Sequence, residues 1–283
     1  MAFFFLLSGF ALSMGYGNKI ANGSFCFRRF IKRRLLKLYP LHLLCLALFL
    51  VLFRPELDYR LVLNTMLLQS WVPESSCYFS YNGVAWFLSC LLFFYLIFPL
   101  LYRWANRLTL CLMIVYCIAV YVIVPYSQIN AILYVSPLVR LVDFFFGIML
   151  YKFYAAHKCR TTPAWTELLL IVMLALSLAS YPYADEKFRN APLFWLVLIP
   201  FIYVFAFQQG PVSRCLKCQA LQWLSSLSMP IFLLHPIVIR SLFHFFPAIP
   251  SLLMLLLCLA ITIALSWLAD RLFLRYIEQA RNS

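Results

Sequence analysis

Long apolar runs, separated by short polar or proline-containing breaks, are the feature that most limits what this chain can fold into. A run of about 15 to 25 apolar residues is long enough to cross a lipid bilayer as a helix. Of the 283 residues, 65% are hydrophobic and 11% are charged, whereas a soluble domain is typically about half apolar and a quarter charged. The sequence therefore predicts an all-α, polytopic transmembrane helix bundle. It excludes a soluble enzyme and a disordered chain.

Nine of the apolar runs predict membrane spans. They cover residues 2–16, 36–53, 84–102, 108–125, 136–154, 165–182, 192–208, 224–243 and 250–274. The shorter run 61–72 contains Asn64, Gln69 and Ser70, so we expect it to be re-entrant or interfacial rather than spanning. No repeat and no linker separates these runs, and we expect one membrane domain over residues 1–283.

The positions of the basic residues predict the orientation. When nine spans alternate, 17 of the 23 basic residues fall on one side, which the positive-inside rule assigns to the cytoplasm. They are Lys19, Arg28, Arg29, Lys32, Arg33, Arg34, Lys37, Arg103, Arg107, Lys152, Lys158, Arg160, Arg214, Lys217, Arg271, Arg275 and Arg281. We therefore expect a multi-pass protein of the inner, cytoplasmic membrane with a cytoplasmic C-terminus. The net charge of +14 does not predict a nucleic-acid partner, because no base-reading basic helix or zinc-finger spacing accompanies it.

The first apolar run raises a question of parity. Nine spans with a cytoplasmic C-terminus place Met1 outside, and residues 2–16 are short for a span. One more helix before Met1 would return both ends to the cytoplasm, so we expect this chain to lack its first helix. A signal peptide is the competing interpretation, but Met1 is followed by neither a basic segment nor a small-residue cleavage site.

The densest cluster of charge is the segment 28–37. One interpretation is topological, since basic residues anchor the end of a helix against anionic lipid. The other is ligand binding: Arg33, Arg34 and Lys37 lie about one turn apart and could donate to a phosphate-rich ligand, Arg in bidentate fashion and Lys as a point charge. The residues alone leave both interpretations open.

Among the ionisable residues inside predicted spans, three are candidate site residues. His235 lies deep in the run 224–243, where such a group indicates a functional site by default. The alternative is a neutral histidine that is hydrogen-bonded to Ser228 or to a backbone carbonyl. Arg140 and Asp143 are spaced i, i+3, so they form either a structural ion pair or part of a substrate path. His42, near the start of its run, is expected to be an ordinary surface residue. Cys215 and Cys218 form a lone pair, and neither a metal site nor a disulfide framework is predicted.

Five blocks of the sequence, in order, resemble the signatures of the acyltransferase-3 family, which are membrane-bound O-acyltransferases of bacterial surface polysaccharides. The blocks are FFLLSGFAL at 4–12, RRLLKLYP at 33–40, WFLS with FYLIFP between 86 and 99, RLVDFFFG at 140–147 and SLSMPIFLLHP at 226–236. Each block alone is weakly specific, but their order matches that of the family over nearly the whole chain.

The resemblance implies ten helices and a reaction. An acetyl or similar short acyl group would pass from cytoplasmic acyl-CoA, a co-substrate rather than a permanently bound cofactor, to a hydroxyl of a cell-surface or exported glycan. Arg33, Arg34 and Lys37 would hold the phosphates of the donor. The substrate path would be lined by Trp86, Arg140, Asp143, Ser228 and His235, with His235 also a candidate general base.

Three departures from the family pattern stand out. Lys37 replaces the last arginine of the RRxxR element, which keeps the charge but loses the bidentate fork. Leu91 stands where a glutamate is often found. The histidine expected to act as the family's catalytic base belongs to a first helix that would precede Met1. Two other functions therefore stay open: a secondary transporter or exporter, although no inverted repeat is evident, and a catalytically inactive, truncated member of the family.

Overall fold

The computed structural model describes residues 1–157, 163–189, 191–247 and 250–274. Within these residues the regular structure is helical, as predicted, and no strand is present. The helices are α1 Ala2–Ala21, α2 Phe27–Phe53, α3 Tyr59–Thr65, α4 Ser75–Tyr78, α5 Trp86–Trp104, α6 Arg107–Ile123, α7 Pro137–Ala156, α8 Trp165–Ser180, α9 Glu186–Arg189, α10 Pro192–Phe207, α11 Pro211–Cys215, α12 Gln219–Ser226, α13 Ser228–Phe245 and α14 Ser251–Ala269. Short 3₁₀ turns occupy Gln69–Trp71, Tyr126–Gln128 and Tyr181–Tyr183, and π-helical segments occupy Ile129–Tyr134 and Asp270–Leu274.

Six helical stretches in the described residues are long and apolar enough to cross a membrane. They are Phe27–Phe53, Trp86–Trp104, Trp165–Tyr183, Glu186–Phe207, Ser228–Phe245 and Ser251–Leu272. A seventh is reached if Arg107–Ile123 and Tyr126–Tyr134, bent by 116° at their break, count as one span. The predicted runs 2–16 and 136–154 are helical as α1 and α7, but they do not pass this test, and nine spans stays a prediction.

The chain divides into two compact units, each built from two separate stretches. Unit 1 consists of Met1–Phe27 and Phe93–Cys218, and unit 2 consists of Arg28–Leu92 and Gln219–Ser283. Because each unit joins distant parts of the sequence, the folding of each needs long-range contacts. Of the basic residues used to predict the orientation, Lys158, Arg160, Arg275 and Arg281 lie outside the described residues.

Helices α1 and α7 form the closest helix pair of unit 1. Gly9 on α1 faces the Phe144 carbonyl, and Gly147 on α7 faces the Leu6 carbonyl. A Cβ atom at either glycine would overlap the facing backbone, so the two helices meet through paired small residues. Such residues let backbones approach closely and are typical of helix packing in membranes.

The run 61–72 of unit 2 does not form a spanning helix. Its first part belongs to α3, which covers Tyr59–Thr65, and its last part to the 3₁₀ turn Gln69–Trp71. Between them, Leu67 takes a left-handed backbone conformation with φ of 56° and lies fully buried. The sharp turn brings Asn64 and Gln69 into the interior of the unit, where neither is exposed.

Candidate active site

The basic segment forms the first third of α2 in unit 2. Arg33 and Arg34 are half-buried, and Lys37 is exposed. The Arg34 guanidinium lies over the Phe30 ring, 5.5 Å from its centroid, a cation–π arrangement that holds the side chain in place. The first 55 residues contain no Asp or Glu, so this end of α2 carries a concentrated positive charge.

One row of side chains runs along α2 from this charge into the interior of unit 2. Residues spaced by four lie next to each other on a helix, and Arg34, Leu38 and His42 form such a row. Leu38 and His42 are almost completely buried, with 2% and 1% of their surface exposed. The row therefore connects the basic end of α2 with a buried imidazole, over a rise of about 12 Å.

His42 is the residue that sequence reasoning missed. Its position near the start of an apolar run suggested an ordinary surface histidine. This expectation was wrong, because α2 begins at Phe27 and His42 lies well inside the helix with its side chain buried. The ring atom Nε2 lies 2.8 Å from the backbone carbonyl oxygen of Asn64. A carbonyl oxygen only accepts hydrogen bonds, so Nε2 carries the proton and Nδ1 is the acceptor nitrogen of the neutral ring.

A chain of hydrogen bonds holds the 59–89 region of unit 2 around this histidine. The Asn64 side-chain amide donates to Ser80 Oγ at 2.7 Å and to the Arg60 carbonyl at 2.9 Å. Ser70 Oγ donates to the Trp86 carbonyl at 2.8 Å. Of the polar residues that argued against a span, Asn64 thus ties α3 to Ser80, and Ser70 ties the segment after α3 to the start of α5.

The start of α3 is held by a charged cap. Asp58 accepts hydrogen bonds from the backbone N–H and the guanidinium of Arg60, with the Nε to Oδ2 distance at 2.5 Å. These bonds from Arg60 lower the pKa of the Asp58 carboxyl below its ordinary value. The cap stabilises the first turn of the helix that supplies the Asn64 carbonyl.

Helix α13 carries His235 in the same unit. The ring is half-buried, and its Nδ1 atom lies 3.1 Å from the Ile231 carbonyl oxygen, one turn earlier on the same helix. Of the two partners considered from the sequence, a backbone carbonyl is therefore the one observed, while Ser228 is exposed at the start of α13. Asn82 donates to the Leu233 carbonyl at 2.9 Å, three residues before Pro236, which lies inside α13.

Trp86 is part of the core of unit 2, with only 2% of its surface exposed. Its neighbour Phe87 packs edge-on against Phe232 of α13, with ring centroids 5.2 Å apart. The start of α5 is thereby joined to the part of α13 that carries His235. A role of Trp86 in contacting substrate stays a prediction.

Arg140 and Asp143 belong to unit 1 and form the predicted i, i+3 ion pair on α7. Arg140 donates to Asp143 at 3.0 Å and to the Tyr134 carbonyl at 2.7 Å, and both charged side chains are 1% exposed. The indole N–H of Trp195 also donates to the Asp143 carboxylate. Charged side chains held so completely by protein groups fit a structural ion pair.

A largely apolar cavity of about 570 Å³ lies beside this ion pair in unit 1. Its lining consists of Met1, Ala2, Phe3, Tyr134, Leu174, Leu178, Tyr181, Arg189, Phe194, Leu198 and Phe201. Tyr134 connects the two features, because its carbonyl accepts the bond from Arg140. The candidate residues thus fall into two groups: Arg33, Arg34, Lys37, Trp86, Ser228 and His235 in unit 2, and Arg140 and Asp143 in unit 1.

Comparison with known proteins agrees with the expected family. The sequence profile of acyltransferase family 3, described as an acyltransferase domain, matches residues 1–271. The acyltransferase MdmB of Streptomyces mycarofaciens is 38% identical over 114 residues, which are 37% of this chain and 28% of that protein. No solved structure matches. Because the profile covers almost the whole chain, this membrane protein belongs to the acyltransferase-3 family.

Proposed function

We propose that this chain transfers an acetyl or other short acyl group from cytoplasmic acyl-CoA to a hydroxyl of a cell-surface or exported glycan. Membership of an acyltransferase family supports acyl transfer. The donor and the acceptor rest on the resemblance and on the chemistry of unit 2. The single observation that carries the donor assignment is the basic end of α2, where Arg33, Arg34 and Lys37 lie within about one helical turn.

The donor's phosphates suit this end of α2 in charge and in geometry. Coenzyme A carries three phosphate groups at one end and the reactive thioester at the other, joined by a long flexible arm. Arg33 and Arg34 would bind phosphate oxygens in bidentate fashion, and Lys37 would add a point charge. Under the predicted orientation this end faces the cytoplasm, where acyl-CoA is found.

His235 and the residues near it would bind the acceptor. His235 has its Nδ1 directed at a backbone carbonyl, so Nε2 is the nitrogen left to bind or deprotonate a hydroxyl. Trp86 and Ser228 complete the proposed path in unit 2. In unit 1 the Arg140–Asp143 pair, through Tyr134, supports the wall of the apolar cavity, which is suited to an acyl chain or a lipid tail.

Donor binding is the step to test first. Purified chain in lipid nanodiscs is titrated with CoA and with 3′-dephospho-CoA, using the wild type, the triple variant Arg33→Gln/Arg34→Gln/Lys37→Gln and the control Arg107→Gln. A charge-assisted hydrogen bond contributes about 1.5–3 kcal/mol, so we expect the triple variant to bind CoA at least about 10-fold more weakly. The control should bind like the wild type.

The dephospho ligand separates phosphate recognition from general attraction to the protein. We expect the wild type to prefer CoA over 3′-dephospho-CoA and the triple variant to lose most of that preference. Equal binding of CoA by all three proteins would contradict a donor site on α2. It would favour the alternative that this segment only anchors the helix to anionic lipid.

A further inference from the structure

One arginine of unit 2 lies against two aromatic rings near the carboxyl ends of α2 and α13. The guanidinium carbon of Arg240 is 4.8 Å from the ring centroid of Phe49 and 4.8 Å from that of Phe53. The centroids of these two rings are 4.8 Å apart, and Phe49 also packs edge-on against Tyr81, with centroids separated by 5.9 Å. Cation–π contacts of this kind stabilise the position of the cation. Arg240 is therefore held in place although it is exposed.

The polar groups of this arginine are available to a ligand. A guanidinium carries five N–H donors in one plane, and among the described residues that of Arg240 makes no ion pair and no hydrogen bond. Helices α2, α13 and α14 contain no Asp or Glu that could balance its charge. His244, one turn after Arg240, is also exposed, and its ring packs against Phe53 at a centroid distance of 5.8 Å. The two side chains thus present N–H donors on one face of α13.

The surface beside these donors is apolar and exposed. It includes Ile239 and Phe243 on α13 and Leu52 on α2. Both helices are long and apolar enough to cross a membrane, so exposed apolar side chains on them suit contact with lipid. Arg240 lies five residues before the end of α13, where a long cationic side chain can reach the headgroup layer. A molecule with both an anionic group and hydrocarbon chains fits this surface.

We propose that Arg240 and His244 bind the phosphate of an anionic phospholipid, whose acyl chains lie along the exposed apolar side chains of α2 and α13. The guanidinium would bind two phosphate oxygens in bidentate fashion, and the imidazole would donate to the same group. Under the predicted orientation these helix ends face away from the cytoplasm, so the lipid belongs to the outer leaflet. This lipid site does not depend on acyl transfer. A lipid bound there would link two helices that are far apart in the sequence.

The test measures where an anionic lipid lies on the wild-type chain. The full chain is placed in phosphatidylcholine nanodiscs with a small fraction of phosphatidylglycerol that carries a photoactivatable group in one acyl chain, near the glycerol. Cross-linked peptides are identified by mass spectrometry. We expect cross-links to concentrate on Leu52, Ile239 and Phe243. Their yield should exceed that of photoactivatable phosphatidylcholine by about 5-fold, because one basic residue near an anionic lipid contributes an attraction of that order.

Two variants of Arg240 and one control separate this site from general attraction. Arg240→Gln should lose the preference for phosphatidylglycerol, whereas Arg240→Lys should retain part of it, since the charge remains but the bidentate fork is lost. Arg271→Gln is the control, because Arg271 is an exposed arginine of the same unit that also lies over an aromatic ring, 4.1 Å from the centroid of Trp267. It should keep the wild-type preference. The melting temperature of each protein reports whether it is folded.

Equal yields from the two lipids on the wild type would overturn the proposal, and this result needs no variant to fold. An unchanged preference in folded Arg240→Gln would overturn it as well. So would an equal loss in Arg271→Gln, which would indicate attraction to basic residues in general. Inorganic phosphate and glucuronate are added separately as soluble competitors, and we expect neither to reduce the cross-links. A reduction would contradict a lipid as the ligand and would indicate a site for a free anion or an acidic sugar.

Discussion

The guanidinium of Arg140 donates to the carboxylate of Asp143 at 3.0 Å, and only 1% of each side chain is exposed. Two opposite charges spaced i, i+3 can pair on any helix, but complete burial changes the energetics. Desolvation of the two charges offsets much of their attraction, whereas removal of one partner leaves an uncompensated buried charge. The Trp195 indole and the Tyr134 carbonyl hold the remaining sides of the pair.

We predict that Arg140→Met or Asp143→Leu alone destabilises the protein by about 3–5 kcal/mol and that the double variant is much less destabilised than either. The measurement is the unfolding free energy of all four proteins in the same detergent. A double variant as unstable as the sum of the two single variants would contradict a coupled structural pair.

The contact between α1 and α7 gives a prediction with an internal control. A Cβ atom at Gly9 would overlap the Phe144 carbonyl, whereas a Cβ atom at Gly15, on the same helix, meets no atom within 4 Å. Gly9→Ala should therefore destabilise by about 1–3 kcal/mol through overpacking. Gly15→Ala should leave stability unchanged or raise it by about 0.5–1 kcal/mol. Thermal unfolding of the two variants tests this, and equal effects would show that α1 and α7 do not meet at Gly9.

The Gln69 side-chain amide is completely buried and has no hydrogen-bond partner among the described residues, so its replacement tests whether it serves the reaction or the fold. Gln69→Leu replaces a completely buried side chain, whose amide has no protein partner in the described residues, by an apolar one of similar size. We expect the variant to be as stable as the wild type or more stable by about 1–3 kcal/mol, while acyl transfer falls. Chemical unfolding and a transfer assay on the same preparation measure both effects. Lower stability with unchanged transfer would argue for a purely structural amide.

The cap at Asp58 predicts that the stability of α3 decreases at acid pH. Its hydrogen bonds from Arg60 lower the carboxyl pKa, so the stabilisation of α3 is present above the ordinary Asp pKa, about 4, and is lost as the pH falls through the lowered value. We expect amide protection in α3, corrected for intrinsic exchange, to decrease between pH 5 and the acid limit in the wild type. Asp58→Asn should show a much smaller change. An equal loss in both proteins would contradict this role of the cap.

Sequence patterns predicted the helical class and most helix positions because apolar runs of span length have few other ways to satisfy their backbone groups. The Arg140–Asp143 pair was also predictable, since both partners lie on one helix. His42 was not. Its burial depends on contact with Asn64 of α3, 22 residues away, and on a left-handed turn at Leu67 that no sequence pattern predicts.

Two of the helices, α1 and α7, also could not be assigned as spans from their composition. The charges Arg140, Asp143 and Lys152 lower the apolarity of α7, so a helix that packs tightly on α1 does not look like a span by composition. Its partner α1 ends in a polar turn with Asn18 and Lys19, and it too is not apolar enough to be assigned as a span. The division into two units, each from two stretches, was equally invisible in a sequence without linkers.

Acyl transfer by the chain itself is the central claim, and its most direct test is the stoichiometry of the reaction. Purified protein in nanodiscs is given radiolabelled acetyl-CoA with a sugar acceptor, and ester and free CoA thiol are measured together. We predict equal amounts of ester and thiol, formed only when donor and acceptor are both present, and a large loss in Arg33→Gln/Arg34→Gln/Lys37→Gln at low donor concentration. Release of CoA thiol without ester formation on any of the acceptors would contradict acyl transfer by this chain. So would the absence of turnover by a folded protein that binds CoA.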